Sequence, residues 1–150
     1  MSAFRTISGA LIGSALFLIV TRFIPWNPDL SDWGGKAFPR SYLGPLIILA
    51  ILSYLMGWTA GKISPVTGRL SAMLAGIISG GLVMTIDFGS NFLKPLFHHP
   101  AYPVFSDQTL LALAVLLTAA HLGGLRCERN IVKKTNGAAE TASAAANIGS

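Results

Sequence analysis

Four side chains in this sequence could carry proton or metal chemistry. His98 and His99 stand side by side in "LKPLFHHPAYP", Asp87 lies in "MTIDFGSNF", and His121 lies in "LLTAAHLGGLRC". Neighbouring residues on a helix point about 100° apart, so one metal would take both His98 and His99 only from an extended segment. Pro95, Pro100 and Pro103 make such a segment plausible. Zinc still needs a third or fourth ligand. His121 is about 21 Å beyond Asp107 if the intervening chain is helical, and Cys127 lies further along still. The sequence therefore assigns His98 and His99 to an interfacial loop, with no metal and no cofactor expected.

Asp87 has two readings. An ionisable group inside an apolar run is a functional hypothesis by default, a proton or cation site here. Arg22, at the end of another apolar run, could instead form an ion pair with it and satisfy both charges. His121 could relay protons near neutral pH. It could equally bond to a neighbouring helix, being five residues from Arg126.

The elements that hold these residues follow from composition. Of 150 residues, 52% are hydrophobic and 11% charged, against about 25% charged in a soluble domain. That is too little polar surface for water, and lipid is the alternative solvent. Apolar runs cover about 7–24, 43–63, 70–88 and 109–125, each long enough as a helix to cross a hydrocarbon core of about 30 Å. Period-two alternation is absent, which argues against a membrane barrel. The expected fold is all-α, an integral membrane bundle of four transmembrane helices over residues 1–130. The small, polar segment 131–150 is expected to be a disordered cytoplasmic tail.

Local signals mark the boundaries. Pro25 follows the first run, Pro45 suits a first helical turn, and Pro65 stops the second run by pushing Ser64 out of helical geometry. Asp107 stands where an N-cap belongs, and Gly123-Gly124 is expected to loosen the end of the fourth span. A signal peptide is disfavoured because no small-x-small cleavage site follows the first run.

Charge sets the expected orientation. Arg5, Lys62, Arg69, Arg126, Arg129, Lys133 and Lys134 fall on the side of the termini; Arg22, Lys36, Arg40 and Lys94 fall on the other. The positive-inside rule then places both termini in the cytoplasm, in a bacterial inner membrane. The net charge of +5 is explained by this rim, and no nucleic-acid partner is expected.

Small residues recur at four-residue spacing: Gly9 and Gly13, then Ser53, Gly57 and Gly61, then Ala72, Gly76 and Gly80 with Ser71, Ala75 and Ser79 beside them. Lipid supplies no hydrophobic drive between helices, so close backbone approach must hold them together. The third span, with two such rows, is the expected central helix. The loops 25–42 and 89–106 carry Trp26, Trp33, Phe38, Tyr42, Phe92, Phe97, Tyr102 and Phe105, more than an interfacial belt explains.

Catalytic signatures such as GxSxG, HExxH or a phosphate-binding glycine loop are missing, and no enzyme activity is expected. The leading expectation is a small structural or accessory membrane protein, in contact with the bilayer and with other membrane proteins or further copies of itself. The alternative is a small-solute, proton or cation transporter or channel using Asp87 and His121.

Overall fold

The computed structural model describes residues 2–23, 43–85 and 107–148. Four helices account for nearly all of them: α1 (Ser2–Phe23), α2 (Leu43–Ile63), α3 (Gly68–Thr85) and α4 (Asp107–Ile148). The short 3-10 turn Pro65–Thr67 joins α2 to α3. No strand occurs among the described residues. All four helices are long and apolar enough to cross a membrane, and the described residues form an all-α, four-helix integral membrane bundle.

The helices pack through narrow stripes and turn large apolar side chains outward. Phe4, Leu11 and Ile19 on α1, Ile47 and Ile51 on α2, and Met73 and Ile77 on α3 are exposed. This inversion of the soluble pattern is what lipid on the outside permits. The interior is built from Phe17, Leu49, Met56, Val83 and Leu116, filled in by Ala10, Ala60, Ala75, Ala112 and Ala120.

Helices α2 and α3 pack on one another and each packs on both α1 and α4. The central position expected for the third span is thus shared by α2. The reason is a run of near-backbone contacts along α2. A Cβ placed on Gly57 would run into the carbonyl oxygen of Ala120, and one on Gly123 into that of Tyr54. Neither position has room for a methyl group, so α2 and α4 touch main chain to main chain.

Three of the boundaries that differ from the expected ones have a clear physical reason. The first helix begins at Ser2, earlier than the apolar run, because nothing in its first residues breaks helical geometry. α3 begins at Gly68, directly after the turn that Ser64 and Pro65 enforce; Ser64 has φ −123° and ψ 69°. The largest difference lies at Gly123-Gly124. These glycines do not loosen α4, which continues through them to Ile148. They are contact points instead: Gly123 meets α2, and a Cβ on Gly124 would lie 2.5 Å from the carbonyl oxygen of Gly68 on α3. Packing outweighs the intrinsic cost of about 1 kcal/mol for glycine in a helix.

At about 1.5 Å per residue, 42 residues make α4 about 63 Å long, twice the hydrocarbon thickness. A bilayer can therefore cover only part of it. Residues 132–139 are all exposed, in keeping with a polar tail outside the packed bundle, and its alanine-rich sequence favours helical backbone.

Candidate functional site

The turn that links α2 to α3 gathers the polar chemistry of the bundle. Ser64 ends α2 and Thr67 ends the 3-10 turn, with their hydroxyl oxygens 2.6 Å apart. Thr6 of α1 reaches into the same place, 2.6 Å from the Thr67 hydroxyl and 3.3 Å from that of Ser64. Ser71, one turn into α3, donates its hydroxyl to the Thr6 carbonyl at 2.9 Å. Four hydroxyls thereby tie three helices at one end, where the chain must bend and its backbone groups need partners.

Deeper in the bundle the same device repeats at lower density. Ser14 of α1 donates to the Ala75 carbonyl of α3 at 2.9 Å. Ser79 lies 3.3 Å from the sulfur of Met56. Ser53, fully buried on α2, has no hydrogen-bond partner for its hydroxyl among the described residues. Among the described residues the buried polar set consists of serine and threonine hydroxyls. Hydroxyls of this kind bond across helices and do not titrate in the physiological range.

A second group of polar side chains is more exposed and involves α4. Glu128 of α4 accepts the backbone N–H of Arg69 at 2.8 Å and pairs with the Arg69 guanidinium. That N–H is one of the unsatisfied donors in the first turn of α3, and a carboxylate there also meets the positive end of the helix dipole. On the neighbouring face, Arg126 donates to the Tyr54 hydroxyl at 3.1 Å, and the Lys62 ammonium lies 4.0 Å from the centre of the Trp58 ring. The thiol of Cys127 is buried between α4 and α2, donating to the Trp58 carbonyl at 3.3 Å.

The residues singled out from sequence separate into three groups. Asp87, His98 and His99 lie outside the described residues, as do the aromatic loops 25–42 and 89–106; the Asp87–Arg22 ion pair therefore has only one described member, Arg22, exposed in the last turn of α1. His121 is half-buried on α4, next to the Ala120 that meets Gly57. The glycines of the small-residue rows all sit at helix contacts. Beyond Gly57, a Cβ on Gly9 would lie 2.7 Å from the Ala60 carbonyl oxygen, one on Gly13 3.1 Å from that of Met56, and one on Gly61 3.0 Å from Cys127. Gly76 and Gly80 face the flexible ends of Leu117 and Leu113, each at 3.0 Å. No group of three or more histidine, cysteine or acidic side chains converges among the described residues.

Sequence reasoning passed over Thr6, Thr67 and Glu128, and read Ser64 only as a helix boundary. The signal for the hydroxyls was present, in "SPVTG" between two apolar runs. Glu128 stood out as a lone acid within a basic segment, "LRCERNIVKK".

Comparison with protein-family models, with curated proteins and with solved structures returns no match.

Proposed function

We propose that this chain is a small structural or accessory protein of a multi-pass membrane assembly, without catalytic chemistry of its own. It acts by presenting a rigid bundle to other membrane proteins or to further copies of itself, through the aromatic loops 25–42 and 89–106. The observation that carries this reading is the α2–α4 contact. Gly57 and Gly123 bring two main chains together with no room for one methyl group, which favours a solid rod over a lined path. The buried hydroxyls point the same way, because most are engaged in helix-to-helix bonds and none is a general acid or base at neutral pH.

The proposed setting is a bacterial inner membrane with both termini in the cytoplasm, from the basic end that carries Arg5, Lys62, Arg69, Arg126 and Arg129. A Lys134→Cys variant in a Cys127→Ser background tests the orientation: labelling by an impermeant maleimide from the outer face would reverse it.

The test of function is in vivo crosslinking followed by extraction in mild detergent. Discrete crosslinked species, retained on purification, are expected. Recovery solely as an uncrosslinked monomer rejects the proposal. Proton, cation or small-solute flux in proteoliposomes that disappears in a folded Asp87→Asn variant would replace it with a transporter.

A further inference from the structure

The lipid-facing side of the α2–α4 contact collects groups that the packing of the bundle does not use. Tyr54, Trp58 and Lys62 follow at four-residue spacing on α2 and so share one stripe of that helix. The Gly57 and Gly61 contacts bring α4 alongside, and α4 delivers Arg126 to the Tyr54 hydroxyl. Lys62 lies over Trp58. Both cationic side chains are exposed, and Tyr54 and Trp58 are half-exposed. Two positive heads from two helices thus meet aromatics of the kind that settle at the membrane–water interface, Lys62 over a ring and Arg126 at a phenol hydroxyl.

No second described carboxylate balances this charge. The one carboxylate among the described side chains, Glu128, is engaged by Arg69. Arg126 spends one of its five donors on Tyr54, which orients its planar fork. A guanidinium held in this way matches a phosphate. Apolar surface adjoins the pair: Leu55 on α2 and Leu122 on α4 are exposed, and Leu122 stands one turn before Arg126 on the same face.

We propose that this face binds an anionic glycerophospholipid, its phosphate headgroup between Lys62 and Arg126 and its acyl chains along Leu55 and Leu122. Charge complementarity selects an anion, and the adjoining apolar stripe selects a lipid over a free phosphate. This inference requires the bundle to sit in a bilayer and is independent of the accessory role proposed above.

The experiment is native mass spectrometry of the full chain in neutral detergent, titrated with phosphatidylglycerol or phosphatidylcholine. At about 0.15 M salt the screening length is about 8 Å, so only nearby charges count. Phosphatidylglycerol is expected to bind preferentially. Each basic residue near a headgroup is worth about fivefold, so Lys62→Gln with Arg126→Gln should reduce that preference about thirtyfold. Lys133→Gln with Lys134→Gln removes equal charge about 11 Å further along α4 and should change it less than about twofold. Tyr54→Phe keeps every charge and should weaken the preference partially; if the first double variant does not fold, this variant decides, and an unchanged preference overturns the site. Equal binding of the two lipids overturns it, as does equal loss in both double variants. Displacement of the lipid by equimolar glycerol phosphate overturns the lipid as occupant.

Discussion

Glu128 caps a helix to which it does not belong. Its carboxylate, on α4, accepts the first-turn N–H of Arg69 on α3 and pairs with the guanidinium of the same residue. One side chain thus satisfies an orphan donor, meets the helix dipole and fixes the height of α4 against α3. It does so beside Gly124 and Gly68, where the two main chains are already in contact.

Glu128→Gln keeps an acceptor and removes the charge. The Arg69 side chain is about half exposed, at 54%, so solvent screens the pair and the cost should be modest, about 1 kcal/mol. Thermal unfolding in detergent should show a lower midpoint for the variant at low salt. The gap should narrow in 0.5 M salt (a roughly 4 Å screening length), and a gap that does not respond to salt would assign the contribution to packing.

Two glycine-to-alanine substitutions should act in opposite directions. Gly57→Ala places a methyl against the Ala120 carbonyl oxygen, forcing α2 and α4 apart at a cost of about 1–3 kcal/mol or more. Gly137→Ala meets nothing within 4 Å and should raise helix content, gaining about 1 kcal/mol locally. Circular dichroism during thermal unfolding distinguishes them.

The contrast between backbone and side-chain neighbours supplies a further test. Gly123→Ala would drive a methyl into main chain, the Tyr54 oxygen and the Trp58 nitrogen. Gly80→Ala would meet the end of the Leu113 side chain, which can change rotamer. Gly123→Ala should lose the monodisperse folded species in gel filtration, and Gly80→Ala should retain it.

Buried hydroxyls should differ according to whether they have partners. Ser14→Ala removes the bond to the Ala75 carbonyl and should cost about 0.6 kcal/mol, the usual figure for such bonds between membrane helices. Ser53→Ala removes a hydroxyl without a described partner and should be neutral or stabilising. Equilibrium unfolding of the two variants in mixed micelles checks the order; a larger loss for Ser53→Ala would show that its hydroxyl is engaged.

Cys127 reports on the same packing. Its thiol is buried against Gly61 and the Trp58 carbonyl, so maleimide should react slowly with the folded chain and fast after denaturation. Gly57→Ala, by separating α2 from α4, should accelerate the reaction in the folded state.

Much of the architecture is set by the chain's composition and local pattern. Few charges and four apolar runs demand helices in lipid, because an unpaired backbone group has no partner there. Ser64-Pro65 fixes the α2–α3 bend by sterics alone, and small residues at four-residue spacing mark the helix faces that meet. What local pattern left undecided was which helix each stripe would meet. Gly123-Gly124 reads locally as a helix end; only the approach of α2 on one side and α3 on the other makes the pair a double contact inside a continuous helix. Thr6 is likewise unremarkable along the chain, and Glu128, a lone acid in a basic segment, shows no partner there. Their partners, Arg69 and the Ser64–Thr67 turn, lie about sixty residues away, and pairings over that distance are chosen by the packing of whole helices, not by neighbouring sequence.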